Sequence, residues 1–488
     1  MGCRRAVRAL LFQRQAPMTG AWRSGGLAVG VSAALLTAGP PDRLTAQDTS
    51  AIDRGVRVGI IYRPGVRPGM VLLPVHAPAL DSVRAIMTRD LDYSDRFELI
   101  TLPGGDSIRV TAAAPGARPP AAGGTGRGTG GGGAAAATTL NYPLYQALGA
   151  DFAVAVLPAS GDSTIVTVHD VAAGGVRREL RVHLPALKDP AFRLAVHQLA
   201  DRVLEAALGA GGTAATRVLF VMEGKVYAID QDGADQKLVS SSDHQAMSPA
   251  WARDGRRFAY MEFWEGHGRL FVQEVASGKR APVATTGQAL DFTPAFSPDG
   301  KTLAFSRATE EGTDLYTVNF KDGCCLQRLT VGRFYDNLSP TYSPDGQRIA
   351  FVSTRAGLPQ IYAMAADGTD QQLFAPFDYG ATGSSNAPEW SPDGQTVAFH
   401  RDVGGTLQVF VLDVRTRAVR QLTSVGRNED PTWAPDSRHM AFVSDRSGYR
   451  QLWIIDVETG RIRPLLQKSG ARLPAWSPRL PETASSTP

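Results

Sequence analysis

The sequence predicts a multidomain protein in which a small N-terminal α/β domain precedes a six-bladed β-propeller. A short phrase containing a proline, an aromatic residue and a tight turn recurs along residues 213–480. Before it, residues 48–212 contain predicted strands mixed with amphipathic helices. A chain of 488 residues is too long for one ordinary core, so two units are expected.

The repeated phrase is typified by TPAFSPDGKTLAF at residues 293–305. Its leading proline recurs at intervals of 43 to 48 residues, at positions 249, 294, 340, 388, 431 and 474. A period in this range is typical of four-stranded propeller blades. Pro-Asp-Gly favours a tight turn, the alternating apolar residues after it favour a strand, and the aromatic residue is large enough to fill the wedge between neighbouring sheets.

The two ends of the repeat region predict how the ring closes. The first hairpin, RVLFVMEGKVYAID at residues 217–230, has no phrase before it. The last phrase, LPAWSP at residues 473–478, has no hairpin after it. We therefore expect the last phrase to pair with the first hairpin and close a ring of six blades, which removes an exposed sheet edge. Residues 481–488 are expected to be a disordered tail.

The preceding domain has a different pattern. Its strongest helix signal is residues 189–209, where Asp189 is placed to cap the helix, Pro190 fits the first turn and Gly209 can end it. Residues 112–139 are a run of Gly, Ala and Pro that cannot build a core. We expect this insert to be disordered.

Residues 1–47 predict export. Several arginines precede the apolar run LAVGVSAALLTAG at residues 27–39, which has the length of a signal peptide and is too short to span a bilayer. We therefore expect no membrane insertion.

Without residues 1–47 the chain has 45 basic and 46 acidic residues, so nucleic acid as a partner loses its electrostatic support.

The sequence offers little for catalysis. It contains no Gly-x-Ser-x-Gly, Walker or His-Glu-x-x-His motif, and its eight histidines have no ligand spacing. We expect no catalytic residue, metal or cofactor. The adjacent Cys324 and Cys325 lack Cys-x-x-Cys spacing, which leaves two free thiols or a vicinal disulfide.

A binding surface is predicted at one mouth of the propeller. Loops that lead into the innermost strand of each blade converge there, and in this chain they precede each motif proline. Their polar, aromatic and arginine residues form an interface-like mixture. The candidate residues are His244, Asp291, Phe292, Tyr335, Asp336, Asn337, Asn386, Arg427, Asn428, Glu429 and Arg472.

This layout resembles the TolB proteins of the bacterial periplasm. The resemblance runs from VRVGIIYRPGVRPGMVLLPV at residues 56–75, through RDLDYSDRFELI and LGADFAVAVL, to the final LPAWSPRL. It implies a non-enzymatic periplasmic component of the Tol-Pal system, which supports outer-membrane integrity and cell division. It also implies that the propeller face binds the lipoprotein Pal and that the N-terminal segment binds the inner-membrane protein TolA. The Gly/Ala/Pro insert and the apolar loop ALDF before Pro294 depart from the family pattern.

The N-terminal stretch after the leader is the second candidate site. Asp48, Thr49, Ile52 and Asp53 lie in a polar segment ahead of the first predicted strand. This segment is either a mobile docking tail or a signal scar without a role.

We expect a monomer. The alternatives to a Tol-system scaffold are an exported propeller lyase or hydrolase, with His244 and His267 as candidates, and a peptide- or glycan-binding propeller outside the Tol system.

Overall fold

The computed structural model describes residues 67–75, 77–102, 140–159, 163–240, 243–264, 267–285, 289–376 and 383–482. Several predictions lie outside these residues: the signal peptide, the N-terminal candidates Asp48, Thr49, Ile52 and Asp53, and the insert at 112–139. Of the predicted tail, Pro481 and Glu482 are described, and the carbonyl of Pro481 accepts a hydrogen bond from Gln198 at 3.0 Å. No helix of the described ranges is both long and apolar enough to cross a bilayer.

The N-terminal domain is built on a mixed five-stranded sheet in the order β2-β1-β3-β4-β5. The pairs β1–β2 and β1–β3 are parallel, and the pairs β3–β4 and β4–β5 are antiparallel. The strands are β1 Gly69–Leu72, β2 Glu98–Leu99, β3 Phe152–Pro158, β4 Ser163–Asp170 and β5 Gly175–His183. The helices are a 3-10 turn, Pro78–Leu80, followed by α1 Asp81–Tyr93, α2 Tyr142–Ala147 and α3 Phe192–Leu208.

Both faces of this sheet are covered because side chains alternate along β1. Met70 and Leu72 pack with α1 and α3 in one core, whereas Val71 and Leu73 pack with Tyr145 of α2 on the other side. The continuous apolar run of β1 is the expected pattern for a strand buried on both faces.

Helix α3 begins later than the sequence indicates. Asp189 accepts a hydrogen bond from the amide of Ala191 at 2.8 Å, so it closes the turn before the helix instead of capping the helix itself. The helix then starts at Phe192. Its end is as predicted, since Gly209 has the left-handed φ of 71° that favours glycine.

The propeller consists of six four-stranded antiparallel sheets, as the repeats predict. Five blades use consecutive strands, ordered from the innermost to the outermost. Blade 2 contains β9 Ala246–Trp251, β10 Arg257–Trp264, β11 His267–Glu274 and β12 Arg280–Pro282. Blade 3 contains β13 Leu290–Phe296, β14 Thr302–Thr309, β15 Gly312–Asn319 and β16 Gln327–Arg328. Blade 4 contains β17 Asn337–Tyr342, β18 Arg348–Ser353, β19 Gln360–Ala365 and β20 Gln372–Leu373.

The remaining blades complete and close the ring. Blade 5 contains β21 Ser385–Trp390, β22 Thr396–Val403, β23 Thr406–Asp413 and β24 Val419–Gln421. Blade 6 contains β25 Asn428–Trp433, β26 His439–Ser444, β27 Gln451–Asp456 and β28 Ile462–Leu466. Blade 1 contains β6 Arg217–Met222, β7 Lys225–Asp230, β8 Lys237–Leu238 and, as its innermost strand, β29 Arg472–Trp476. The pairing of Trp476 with Val218 confirms closure by the last phrase.

The motif prolines lie in β-bulges, which explains why the phrase contains them. In blade 4, Ser339 and Pro340 together lie opposite the single residue Phe351. Proline has no backbone N–H to donate, so a bulge is one of the few places where a strand accepts it. All six innermost strands repeat this register shift. The residue before each proline has a φ between 46° and 54°: Ser248, Thr293, Ser339, Ala387, Asp430 and Leu473.

An aromatic side chain faces each bulge from the second strand. The six residues are Phe220, Tyr260, Phe305, Phe351, Phe399 and Phe442. All of them are fully buried. In blades 3 to 6 an arginine lies over this ring, with its guanidinium carbon 5.1 to 5.7 Å from the ring centroid. Each blade therefore has a buried aromatic side chain on its second strand, opposite the bulge of its innermost strand.

Candidate functional site

The ring has two different faces. The start of each innermost strand pairs with the end of the second strand, as Asn428 does with Ser444. One face, here called the mouth, is therefore formed by the loops that enter the innermost strands and by the loops that join the second and third strands. The opposite face, here called the turn face, carries the Asp-Gly turns and the turns between the third and fourth strands.

The N-terminal domain contacts the turn face at blades 1 and 6. Arg461 forms an ion pair with Asp95 at 2.7 Å, and Arg193 forms one with Asp232 at 2.8 Å. The guanidinium carbon of Arg463 lies 4.0 Å from the ring centroid of Tyr93. These contacts join α1 and α3 to the propeller and lie on the face opposite the mouth.

Two buried histidines are part of this interface. Burial lowers the pKa of His197, but its contacts with Asp230 and Asp90 outweigh that effect and raise the pKa to about 10. His439 behaves in the same way, since burial is outweighed by Asp436 and Asp95 and its pKa rises to about 9. Both imidazoles are therefore protonated at neutral pH and act as buried cations.

Two groups at this interface have ligand atoms close enough together to hold a metal ion. They are Asp90, His197 and Asp232, and Asp95, His439 and Asp456. Arginines already pair with the carboxylates of both groups, for example Arg438 with Asp456 at 2.6 Å. Their carboxylates are thus already balanced by positive charge, so they are ion networks between the two parts of the chain. Neither group, among the residues that the structure describes, includes His244 or His267.

The mouth displays most of the large apolar side chains that the described part of the propeller exposes to solvent. Phe334 is 98% exposed and Tyr449 is 67% exposed. The full set at the mouth is Val331, Phe334, Leu358, Val403, Val425 and Tyr449. Leu238 and Leu373 are exposed elsewhere on the propeller, on the outermost strands β8 and β20. Apolar groups left exposed within polar loops are typical of a protein-binding surface.

Four of the sequence-predicted mouth residues are buried, which corrects their assignment to exposed loops. Phe292 packs in the hydrophobic core between blades. Asp291 is 2% exposed and accepts two hydrogen bonds from Arg307, at 2.7 and 2.9 Å. Asn337 and Asn428 are fully buried. The physical reason is that the bulge lets each innermost strand extend to the residues before its proline, so these residues are strand residues.

The two buried asparagines have the same structural role. Asn428 donates to Gln408 at 2.9 Å and accepts from Arg446 at 3.1 Å. Asn337 accepts from Arg355 at 3.1 Å in the same way. Each arginine also stacks on two rings of its blade. Through these hydrogen bonds the two asparagines hold the start of their innermost strands, at the mouth, against the second strand and the loop that follows it.

The other predicted residues lie at least partly at the surface. Tyr335 is half-buried, donates from its hydroxyl to the carbonyl of Val331 at 3.1 Å and lies under Arg355. Glu429 forms ion pairs with Arg427 at 3.2 Å and with Arg450 at 3.3 Å. The half-buried residues also include His244, Asp336, Asn386 and Arg472. The structure thus places a polar and charged set beside the exposed apolar residues.

The innermost strands also bring two unusual carboxyl groups toward the centre of the ring. Burial raises the pKa of Asp430 to about 7, and the negative charge of Glu429 adds to the effect. Burial likewise raises the pKa of Glu389 to about 7, although Trp433 and Thr432 donate hydrogen bonds to it. Neither carboxyl is therefore fully ionised at neutral pH.

Comparison with known proteins identifies the family. The family model described as "TolB beta propeller domain" matches residues 205–378 and 379–483, which is more than half of the chain. The chain belongs to this TolB propeller family. Its fold is also similar to the crystal structure of TolB from Acinetobacter baumannii, with a TM-score of 0.69 and 22% identity over 85% of this chain and 98% of that one.

Curated relatives carry the same family name. The chain is 31% identical over 183 residues to "Tol-Pal system protein TolB" of Bordetella pertussis, and the same values hold for the protein of Bordetella bronchiseptica. These matches cover 37% of this chain and span 41% of the length of the relatives. They confirm the resemblance to the TolB family, while the TolB partners and cellular role are proposals for this chain.

Proposed function

We propose that this chain is a periplasmic, non-enzymatic protein–protein interaction scaffold of a Tol-Pal-like envelope system. In this proposal the mouth of the propeller binds a Pal-like lipoprotein, and the N-terminal segment binds a TolA-like inner-membrane protein. The assembly would support outer-membrane integrity and cell division. The family membership and the Bordetella relatives named after the Tol-Pal system support this choice over a propeller from another pathway.

The observation that carries the proposal is the exposed apolar set at the mouth. Phe334 and Tyr449 project from polar loops, and Arg427, Glu429 and Arg450 lie in the same face as a charged group. Aromatic anchors surrounded by polar groups are typical of interaction hot spots. The N-terminal domain contacts the other face, so its contacts leave these anchors accessible.

A binding assay with paired variants tests the mouth. The double variant Phe334→Ser/Tyr449→Ser removes two exposed anchors, whereas the control Leu238→Ser/Leu373→Ser removes two exposed leucines from the outermost strands. Loss of one aromatic hot spot costs about 2 kcal/mol or more, which is about 30-fold in Kd. We expect the mouth variant to lose affinity for the purified peptidoglycan-associated lipoprotein of the same genome, and the control to keep it.

A second variant tests the polar part of the mouth. Charge reversal of Arg427 and Glu429 together with Tyr335→Ala exchanges the charges of this ion pair and removes the half-buried ring. We expect weaker binding to the same lipoprotein with unchanged circular dichroism. Full binding by both mouth variants would place the partner elsewhere and refute the proposal for this face.

The N-terminal segment is tested separately. Deletion of residues 48–54 should abolish binding to a TolA-like protein, because the proposal assigns that contact to Asp48, Thr49, Ile52 and Asp53. The melting temperature should change little, since a polar segment of this composition adds no core. Retained binding after deletion would show that the segment has no docking role.

A further inference from the structure

Two thiols lie side by side at the outer edge of blade 3. Cys324 and Cys325 are both exposed, both free, and their Sγ atoms are 2.8 Å apart. They belong to the turn between β15 and β16. Nothing in the proposed scaffold function uses them.

The backbone of this turn explains why the thiols meet. Neighbouring side chains in an extended strand point in opposite directions, which would separate two adjacent cysteines. Here Cys325 has a left-handed φ of 63°, which turns its side chain toward that of Cys324. The turn is held by hydrogen bonds from Asn319 to the carbonyl of Cys324 at 3.1 Å and from Cys324 to Asp322 at 2.9 Å.

The last four residues of this turn have counterparts without cysteines in two other blades, where the whole turn is one residue shorter. The sequences Asp-Gly-Ala-Asp at 232–235 and Asp-Gly-Thr-Asp at 367–370 align with Asp-Gly-Cys-Cys at 322–325. Asp235 and Asp370 have φ values of 54° and 53°, so the left-handed residue is a property of the turn. The fold of the blade thus accepts Thr and Asp at these two positions, and only the pair of thiols is particular to blade 3.

We propose that Cys324 and Cys325 form a reversible redox site that is oxidised to a vicinal disulfide by thiol–disulfide exchange. The co-reactant is a small disulfide. One cysteine thiolate attacks it and releases one thiol, and the second cysteine then displaces the other, so that both cysteines lose their protons and the small disulfide gains two electrons as two thiols. This inference goes beyond the proposed scaffold function and does not depend on it.

The contact between the two thiols also affects the chemistry of Cys324. The hydrogen bond with the Cys325 sulfur, followed by the contact with Asp322, raises the pKa of Cys324 to about 12. Cys324 therefore keeps its proton at neutral pH while the two thiols are in contact. Adjacent Cα atoms are about 3.8 Å apart, closer than the usual range of roughly 4.4 to 6.8 Å for a disulfide, so the ring is strained and readily reduced.

The test uses the purified protein, reduced and then exposed to oxidised glutathione. Trypsin cleavage after Lys321 and Arg328 yields the peptide 322–328, which contains both thiols and excludes Cys3. We expect this peptide to lose two hydrogen atoms, to bind no maleimide, and to regain both thiols under mild reduction. Each single variant, Cys324→Ser or Cys325→Ser, should instead retain glutathione on its remaining cysteine, because the second thiol that would displace it is absent.

A matched control preserves the turn. The variant Cys324→Thr/Cys325→Asp copies the residues at 367–370, where Asp370 has a left-handed φ as Cys325 does, and should fold normally without any oxidation product. The proposal is overturned if the wild-type peptide keeps two alkylatable thiols, if both cysteines retain glutathione, or if the oxidised product is a disulfide-linked dimer.

Discussion

The buried cation at His197 should make the stability of the protein depend on pH in a defined direction. His197 lies on α3, where Nδ1 is 2.7 Å from Asp90 and Nε2 is 3.6 Å from Asp230 of blade 1. The substitution His197→Gln keeps a hydrogen-bonding side chain of similar reach and removes the charge. It therefore separates the electrostatic contribution of His197 from its packing.

The expected size follows from the pKa. Contacts with Asp230 and Asp90, acting against burial, raise the pKa from 6.5 to about 10. Because the folded pKa lies above the unfolded one, the stabilisation is fully present below pH 6.5 and is lost as the pH rises toward 10. A pKa unit corresponds to about 1.4 kcal/mol, so the contribution is about 4 kcal/mol at pH 7 and below about 1 kcal/mol at pH 10.

Equilibrium denaturant unfolding at pH 7 and pH 10, for the wild type and the variant, measures this change. The difference in unfolding free energy between the two proteins should be large at pH 7 and should shrink strongly at pH 10. Groups that titrate equally in both proteins cancel in this comparison. His183→Gln, at an exposed position on the edge strand β5, is the control and should show no such trend. A difference for His197→Gln that stays constant with pH would refute the assignment of a buried charge.

Three further predictions concern the propeller. Trp476→Ala should lower the unfolding free energy by about 3 to 5 kcal/mol in urea titrations because the indole is buried in the closing strand, and an equal loss for the half-buried Trp251→Ala would contradict that special role. Arg446→Met should cost about 1 to 3 kcal/mol by the same measurement, since its buried asparagine partner loses a hydrogen bond to a charged group, and an unchanged midpoint would show that the guanidinium contact is dispensable. Ala387→Gly should leave the unfolding free energy unchanged or raise it by up to about 1 kcal/mol, because φ is 51° there. Ala295→Gly, which lies outside the left-handed region, should lower it by about as much. Thermal melts that rank the two variants in the opposite order would refute the argument.

The propeller architecture could be predicted from the sequence because each blade repeats the same phrase. The six recurrences of the proline phrase predict the number of blades, and the incomplete first and last units predict the closing strand; both are confirmed. The position of the prolines within β-bulges could not be predicted from the sequence. An alternating pattern interrupted by Pro340 looks like a strand that begins at that proline, whereas the ladder runs through it from Asn337.

The same limitation explains the mixed outcome at the candidate site. Asp291 and Asn428 look like polar loop residues because they precede a proline, yet the structure gives them buried partners within strands. Phe334, which precedes Tyr335, and Tyr449 are visible in the sequence as aromatics in polar loops, but burial decides whether such a residue is an anchor or part of a core. The partner contacts of the mouth stay a prediction.

The interface with the N-terminal domain illustrates a second limit. His197 and His439 have no ligand-like spacing in the sequence. The carboxylates that give His197 its charge, Asp90 and Asp230, are both distant in the chain, and at His439 the nearby Asp436 is joined by the distant Asp95. Such convergence is a property of the tertiary fold, so local patterns do not predict it.

The pairing of Trp476 with Val218 has a consequence for how the molecule is made. Contacts between residues so distant in the chain form late, because the intervening segment must first be brought into place. While the polypeptide is still growing, β6 stands without its inner neighbour and offers a free edge to any other chain nearby. The protein therefore stays prone to aggregation until β29 has paired with β6. Removing only β29 should yield insoluble material even though nearly all of the core residues remain.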